Sequence, residues 1–367
     1  NLTRETMKKI LLASTALVAT AGVAAADVTI GGDGYFGVGF GQFDGDGIFE
    51  STRQDSAGNN VTDSDYVFVY DLDFDATGSG ETDSGLVFGA SMDFDEMDTS
   101  QGAIGYDSTI FVSGAFGTLS MGDTDGAAEA IVGDLSGVGI TGLGDFNENF
   151  FLLGADEAPV GPLALYEYSI AGATLALGLN DDEGYSIGAG YAGEFANGGW
   201  NVGIAYESVQ EGATVTLYDP DIIGGTAGVG AVQTGALEVN SDGEVIVNSD
   251  DDVTHLLGVA GVNFGGFGVK AVYGRADAGS IEADQYGLSA DYGFDAVGLS
   301  AYYRRVESDG ASVSFNNGGE FESDQYGLGA SYDLGGGLAL GGGVSVLDVA
   351  GLAGDLVLAD FGLTFDF

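Results

Sequence analysis

Strict alternation of apolar and polar side chains, repeated along almost the whole chain, is the feature that most constrains the fold. In the segment 65–76, Tyr70, Leu72 and Phe74 alternate with aspartates 71, 73 and 75, and the last segment alternates in the same way up to Phe367. Because successive side chains of a β-strand point to opposite faces, each such segment predicts a strand with one apolar and one polar face. About sixteen segments show this pattern: 28–40, 65–76, 84–94, 108–115, 117–123, 162–170, 173–180, 184–195, 199–208, 253–264, 267–275, 284–294, 297–306, 324–334, 338–346 and 355–367.

The connections between these segments alternate between short and long. Short turns rich in glycine or asparagine lie at 171–172, 196–199, 265–266, 295–296 and 335–337. Long acidic loops lie at about 41–64, 95–107, 123–161, 209–252 and 307–323. An even strand number, with short turns opposite long loops, is typical of outer-membrane barrels, and sixteen strands enclose an aqueous channel. We therefore predict an all-β fold, a 16-stranded antiparallel transmembrane β-barrel with an inward-folded constriction loop.

The third long loop is the candidate for the inward-folded segment. Roughly forty residues between Asp123 and Pro162 are glycine-rich and acidic, and they follow neither a period of 2 nor one of 3.6. A loop of that length inside an ordered domain is usually functional. In a closed barrel such a loop would lie in the middle of the pore.

A secreted, acidic β-sandwich is the alternative fold, since its strands would also alternate, with the apolar face packed inward. Aromatic residues near the predicted strand ends favour the barrel, because lipid-facing barrels carry aromatic girdles at both interfaces. These residues are Tyr66, Tyr106, Tyr185, Trp200, Tyr206, Tyr273 and Tyr303. In lipid an open sheet edge would leave backbone groups unpaired, so we expect the last strand to close onto the first.

The charge of the chain excludes one class of partner. The formal net charge is −49, and there is no basic stripe that could neutralise nucleic-acid phosphates. Such a charge often indicates disorder, but here 45% of the residues are hydrophobic, which indicates a folded chain. There is no cysteine, so disulfide and thiol chemistry are excluded.

The pattern of residues 1–26 predicts a targeting segment rather than part of the folded domain. Lys8 and Lys9 form a basic region, residues 10–22 are apolar, and Ala24–Ala26 has the A-x-A form of a cleavage site. We expect upstream residues 1–6, a signal peptide Met7–Ala26 that is cleaved during export, and one barrel domain at 27–367. A transmembrane helix is the alternative reading, but the apolar run is too short.

Catalytic and metal chemistry find little support in the residues. With 57 carboxylates in the chain, a pair of acids at a spacing suited to glycoside hydrolysis is expected by chance and carries little information. The single histidine, His255, belongs to no catalytic constellation. We therefore predict no enzymatic activity and expect His255 in a solvated or interfacial position. Asp123, Asp125 and Glu129 resemble a shortened calcium loop without the spacing of a twelve-residue one, so they are weak Ca²⁺ candidates and no other cofactor is expected.

Several segments resemble the general bacterial porins of the alphaproteobacterial, Rhodobacter type. These segments are TDSGLVFGAS (82–91), TIFVSGAFGTLSMGD (109–123), EAIVGDL (129–135), QYGLGASYDLGGG (325–337) and LADFGLTFDF (358–367). The resemblance implies a homotrimer in the outer membrane, in contact with lipid and lipopolysaccharide, and passive diffusion of ions and small hydrophilic solutes. It also implies that the third external loop forms the constriction. A substrate-specific outer-membrane channel or an adhesin-like barrel is the alternative function.

The expected pore is acidic. The candidate residues of the constriction loop are Asp123, Asp125, Glu129, Asp134, Asp145 and Glu148. By strand parity, the candidate residues of the lumen wall are Asp33, Asp71, Asp73, Asp360, Lys270 and Arg304. Porins of the resembled family often set basic side chains opposite an acidic loop, but only five basic residues follow Ala26 here. We therefore predict a negative pore that prefers cations.

The end of the chain carries a further expectation. Phe361, Leu363, Phe365 and Phe367 share one face of the last predicted strand. The resemblance implies that this face is the signal for insertion by the outer-membrane assembly machinery.

Overall fold

The computed structural model describes residues 27–43, 46–47, 66–94, 107–154, 163–181, 183–210, 214–218, 232–234, 237–239, 245–248, 252–279, 281–313, 319–350 and 354–367. The predicted signal peptide with its cleavage site lies outside the described residues. So do most residues of the predicted loops 41–64, 95–107 and 209–252.

Sixteen long strands account for most of the described residues. They are β1 Asp27–Phe43, β2 Tyr66–Glu81, β3 Val87–Phe94, β4 Asp107–Gly114, β5 Gly117–Gly122, β6 Leu163–Ile170, β7 Ala173–Leu179, β8 Tyr185–Phe195, β9 Gly198–Val209, β10 Val253–Phe264, β11 Phe267–Ala278, β12 Ile281–Phe294, β13 Val297–Val313, β14 Gly319–Gly335, β15 Leu338–Val349 and β16 Leu356–Asp366.

The strands close into a barrel. Each strand pairs antiparallel with its neighbours along the chain, and β1 pairs with both β2 and β16. At this seam the Gly32 N–H donates to the Phe367 carbonyl over 3.1 Å, and the Phe367 N–H donates to the Gly32 carbonyl over 2.9 Å. Closure removes the sheet edges that lipid cannot satisfy. The predicted 16-stranded antiparallel barrel is confirmed.

The two strands that flank the predicted loop 307–323 are longer than the alternation predicted. The segment 307–323 was expected to be a loop, but β13 continues to Val313 and β14 begins at Gly319. This prediction was wrong because apolar alternation stops where a strand leaves the lipid, whereas backbone pairing continues. Glu307 and Glu322 face each other in this extension, and Arg305 forms ion pairs with both.

The two faces of the barrel wall differ as a membrane requires. Large apolar side chains point outward and are exposed, among them Ile30 at 75%, Phe68 at 72% and Ile110 at 68%. A water-soluble sandwich would bury this face, so the sandwich alternative is wrong. The outward face instead suits contact with hydrocarbon.

Smaller elements complete the described chain. A helix, α1, spans Ala127–Val132, and among the residues described no helix is long and apolar enough to cross a membrane. The strands Thr214–Tyr218, Val232–Thr234, Leu237–Val239 and Val245–Asn248 form a separate antiparallel sheet. Two of its strands lie beside β13. Asp46–Gly47 pairs with the end of β1.

The apolar core does not fill the barrel centre. It lies between the segment after α1 and the inward face of β9–β16 near their long-loop ends. Phe146, Leu143 and Leu153 from the segment are fully buried there, together with Leu257 and Leu358 from the wall. A core in this place fixes the segment inside the barrel.

Candidate functional site

The inner loop, defined here as residues 123–154, enters the barrel after β5 and first forms α1. The Ala127 N–H at the start of α1 donates to Ser186 Oγ of β8 over 2.9 Å. The helix ends at Gly133, whose φ of 57° favours glycine. Lys270 Nζ of β11 donates to the Asp134 carbonyl over 2.6 Å, which places a positive charge at the end of the helix, where it is favourable.

A track of glycines on the inward wall receives the first pass of the loop. A Cβ at Gly188 would lie 2.6 Å from Ile131 Cγ1, and a Cβ at Gly362 would lie 2.6 Å from Ile140 Cδ1. Leu135 and Val138 are seated on other glycines in the same manner. The loop can approach the wall this closely because glycine has no side chain. The track consists of Gly178, Gly188, Gly203, Gly287, Gly327, Gly329, Gly341, Gly343, Gly362 and Gly37.

Polar anchors fix the far end of this first pass. Asp360 of β16 accepts from the Ile140 N–H over 2.7 Å and, at the same oxygen, from the Thr141 N–H over 2.8 Å and the Thr141 hydroxyl over 2.9 Å. Its other oxygen accepts from the Gly343 N–H over 3.0 Å. Further back, Ser136 donates to Asp291 over 2.7 Å. Asp360 therefore points inward, as its parity predicted, but it is buried beneath the loop.

The loop then reverses and runs back above its first pass. Leu135 and Asn147 hold the two passes together, since the Leu135 N–H donates to the Asn147 carbonyl over 3.2 Å and Asn147 Nδ2 donates to the Leu135 carbonyl over 3.1 Å. The Asn149 N–H donates to Asp134 Oδ1 over 2.8 Å, and Asn149 Nδ2 donates to the Gly133 carbonyl over 3.0 Å. The inner loop is thus a flat, doubled layer on the wall.

A buried polar row on the wall, defined as Glu207, His255, Gln285, Arg304 and Gln325, binds the return pass. The Leu152 N–H donates to Glu207 Oε2 over 3.0 Å, and Arg304 Nη1 donates to Gln325 Oε1 over 2.9 Å. His255 is 0% exposed and stacks on Phe150 with ring centroids 4.5 Å apart. The solvated or interfacial position expected for His255 was wrong, because the expectation did not include coverage by the loop.

The candidate acids of the loop are spread along its length. Asp123, Asp125, Glu129, Asp134 and Asp145 are half-buried, and Glu148 is exposed. Asp123 contacts the end of β5 and the start of β4, where its carbonyl accepts from Thr109. Among the described residues, no group of three or more His, Cys, Asp or Glu side chains is placed to hold a metal ion.

The candidate acids of the wall lie on the part that the loop contacts leave open. Asp33 of β1 is directly opposite Asp73 of β2 on one side and Asp366 of β16 on the other. Asp71 is opposite Tyr35, and all of these point away from the exposed apolar face. Asp366 shares the parity of Asp360 but was not among the predicted wall residues. The pairing of the last strand with the first places it opposite Asp33.

The basic side chains that the structure describes do not line this open wall. Lys270 and Arg304 point inward, but both are engaged beneath the loop. Arg275 and Arg305 lie on the outward face, where Arg275 pairs with Asp284 at 3.0 Å and Arg305 pairs with Asp324 at 2.9 Å. Arg53 lies outside the described residues. Within the described part of the chain, negative groups therefore dominate the open side of the lumen.

The C-terminal aromatic residues cover the seam on its outer side. Phe365 and Phe367 stack with centroids 6.2 Å apart, and Phe367 meets Phe74 edge-on at 5.7 Å. A Cβ at Gly32 would lie 2.9 Å from the Phe367 ring, so glycine leaves the space that this ring occupies. Phe361 lies on the same exposed face, and Leu363 pairs with Phe36 in the register.

Known proteins resemble this chain in both sequence and fold. A sequence model of the family described as Gram-negative porin matches residues 13–351. The porin of Rhodobacter capsulatus is 34% identical over 275 residues, covering 72% of this chain and 82% of that protein. A porin structure refined at 1.8 Å resolution is 27% identical and superimposes with a TM-score of 0.63, covering 93% of this chain and all of the other.

More distant structures share the fold alone. A mutant of the Rh. blastica porin is 21% identical, with a TM-score of 0.55 and 93% of this chain covered. A loop-deletion mutant of OmpT, an outer-membrane protein of Vibrio cholerae, is 13% identical, with a TM-score of 0.59 and 94% covered. In both cases all of the other chain is covered. With its closed barrel and its family match, the chain belongs to the Gram-negative porins, the channel proteins of the outer membrane.

Proposed function

We propose that this porin is a passive diffusion channel for ions and small hydrophilic solutes, and that it prefers cations. The observation that carries the proposal is the asymmetry of charge inside the barrel. The open wall presents Asp33, Asp71 and Asp73, whereas the inward cations Lys270 and Arg304 are engaged beneath the loop. No wall of positive charge opposes the acids in the described part of the lumen.

Physical chemistry connects this arrangement to selectivity. At physiological salt the Debye length is about 8 Å, comparable with the radius of a narrow pore, so the potential of the wall acids extends into the lumen. Low-dielectric barrel walls focus that potential and raise the local concentration of cations. The preference should weaken as salt is raised, because screening then shortens the reach of the carboxylates.

The resemblance to porins of the Rhodobacter type supports two further parts of the proposal. The protein assembles as a homotrimer, and it contacts outer-membrane lipid and lipopolysaccharide. The exposed apolar belt on the outward face gives the lipid contact a physical basis.

The test is the reversal potential of the purified protein in a planar bilayer under a KCl gradient. Wild type should prefer K⁺ over Cl⁻, and the triple variant Asp33→Asn, Asp71→Asn, Asp73→Asn should lose most of that preference. Asp277, Asp309 and Asp348 are exposed aspartates on the outward face and give a matched control with the same loss of charge. An anion-preferring wild type, or equal effects of the two triple variants, would contradict the proposal. Saturation of conductance by one solute would instead favour a substrate-specific channel.

A further inference from the structure

Three side chains of the buried polar row hold the return pass of the inner loop, and one of them is the only histidine of the chain. Glu207 and His255 are directly opposite each other on β9 and β10, and Gln285 lies two strands further, on β12. Gly274 of β11 lies between them. A Cβ there would lie 2.6 Å from His255 Nε2, so the glycine lets His255 reach Gln285 across β11.

Gln285 binds the main chain of Phe150 in a way that fixes its amide orientation. The Phe150 N–H donates to Gln285 Oε1 over 3.1 Å, and Gln285 Nε2 donates to the Phe150 carbonyl over 2.8 Å. Arg304 Nη2 donates to the same Oε1 over 3.4 Å. Turning the amide over would oppose donor to donor at Phe150 and at Arg304. The Gln285 Nε2 group must therefore face His255.

This orientation determines the tautomer of His255. Gln285 Nε2 lies 3.3 Å from His255 Nε2, and since the amide nitrogen can only donate, the ring Nε2 must accept. The proton of the neutral ring is then on Nδ1, from which it is donated to Glu207 Oε2 over 3.2 Å. The same Glu207 oxygen accepts from Leu152 of the loop. The neutral imidazole thus completes a set of bonds that reaches the loop at two places.

Protonation of the ring would break this set at one point. An imidazolium donates from both nitrogens, so His255 Nε2 would present a hydrogen to the Gln285 amide hydrogens. Relief requires the ring to move from its stack on Phe150, or the amide to turn and lose both of its bonds to the Phe150 main chain. Either movement releases the loop at Phe150.

The charged groups around the ring come from the wall. Glu207 of β9 faces Nδ1 directly, and Arg304 of β13 reaches it through Gln285. The strand β11 presents Gly274 and Ala276, and the loop presents Phe150 and Leu152. Glu207 can accept from Nδ1 of the neutral or the protonated ring, so the structural consequence of protonation is the donor clash at Nε2.

We propose that Glu207, His255 and Gln285 form a latch that positions the inner loop, and that protonation of His255 opens it. The inference rests on the proposed channel function. Because the loop already lies against the wall, a released loop can move only into the lumen. Acid therefore causes brief closures of the channel.

The experiment follows one residue with two methods. In protein labelled with ¹³C-histidine, the single ring signal gives the titration midpoint of His255 in detergent micelles. In planar bilayers, closing events of single channels are counted between about pH 7.5 and about pH 5. The closing frequency should rise about tenfold per pH unit while the pH is well above the NMR midpoint and level off below it, following the fraction of protonated ring.

The variant His255→Asn keeps a donor near the Nδ1 position but cannot titrate, so its closing frequency should not change with pH. His255→Gln is a second variant for the case that the first does not fold. Because the carboxylates of the pore remain in every variant, their titration cannot account for a difference. A midpoint of closure far from the NMR midpoint, or an acid response unchanged in the variants, would overturn the latch.

A readout independent of conductance separates the latch from the channel proposal. A broad-specificity protease should cut the inner loop faster in acid than at neutral pH in wild type, with no such change in the histidine variants. A protein that shows this cleavage pattern but no conductance contradicts the proposed function and supports the latch. Normal conductance at neutral pH with pH-independent cleavage contradicts the latch and leaves the channel proposal standing.

Discussion

The lumen wall has a covered half and an open half, which belong to one continuous sheet but serve opposite purposes. In the covered half, from β7 to β16 and at Gly37 of β1, inward glycines, apolar side chains and a few polar anchors contact the inner loop. On β1 and β2, the inward positions hold Asp33, Asp71 and Asp73. Backbone pairing is continuous through both halves. The inward side chains alone therefore decide whether a stretch of wall becomes a seat for the loop or a surface of the pore.

Like charges directly opposite each other on neighbouring strands are unfavourable, as at Asp33 and Asp73. The open half keeps this unfavourable pair, which indicates that these residues act on the electrostatic potential of the lumen and do not stabilise the sheet. In the covered half, the buried Asp360 accepts four hydrogen bonds and Lys270 binds the end of α1. Charged residues thus stabilise the docked loop in the covered half, whereas in the open half they set the electrostatic potential of the lumen.

The largest expected effect comes from removing a carboxylate of the covered half. Asp360→Ala removes the acceptor for the donors of Ile140, Thr141 and Gly343, and hydrogen bonds to a charged group contribute about 1.5–3 kcal/mol each. We expect a loss of several kcal/mol in docking of the loop, measured as faster proteolysis between residues 139 and 146.

The charge-matched control is Asp33→Ala in the open half. It should shift the reversal potential toward anions while leaving the rate of proteolysis close to that of wild type. If both variants changed proteolysis and selectivity equally, the distinction between the two halves would be lost.

A medium effect is expected from filling the glycine track. Gly188→Ala places a methyl group 2.6 Å from Ile131 Cγ1 and 2.9 Å from the Ala127 carbonyl oxygen, and such overpacking costs about 1–3 kcal/mol. The displaced helix should show as altered single-channel conductance and noise.

Gly190→Ala is the control for this substitution, because its nearest loop atom would be 3.6 Å away, at ordinary contact distance. Both positions are glycines of β8, so loss of glycine flexibility is the same in the two variants. Equal conductance of the two variants would show that the track does not seat the helix.

The smallest effect on the folded barrel is expected at the seam where the two halves meet. Phe367 is 62% exposed, and its ring contacts are those to Phe74, Phe365 and Gly32. Phe367→Ala should cost about 1 kcal/mol in unfolding free energy, the usual contribution of an aromatic pair. Neither selectivity nor docking of the loop should change.

Assembly gives this variant a second measurement. We propose that Phe367, with Phe361, Leu363 and Phe365, signals insertion, so the yield of heat-modifiable trimer on gels should fall while precursor levels stay constant. An unchanged trimer yield would show that the aromatic end only covers the seam.

The barrel was predictable from the sequence, whereas the fit of the loop was not. Alternation identified all sixteen strands because lipid on one face and water on the other impose a period of 2. Parity also gave the correct side for Arg304 and Asp360. It could not show that both are buried, since coverage depends on an aperiodic loop that folds back from β5.

One sequence pattern could have indicated the seat of the loop. Glycines occur at inward positions on many successive strands, from Gly178 on β7 to Gly362 on β16, and turns do not require them there. Inward glycines at the same level on neighbouring strands predict the close approach of another backbone. His255 gave no comparable indication, because the sequence pattern around a histidine in an alternating strand is the same whether the ring is exposed to solvent or buried beneath a loop.

The doubled layer of the inner loop has a consequence for how the aperture of such a protein can change. The circumference of a closed barrel is set by strand number and shear, so it cannot vary by small steps. The thickness of an insert on one side of the bore can, since each side chain on its free surface alters the remaining width. In this porin the barrel wall is therefore rigid, whereas the inner loop is adjustable. Substitutions in its roughly thirty residues can change the width of the pore without altering a backbone hydrogen bond of the wall.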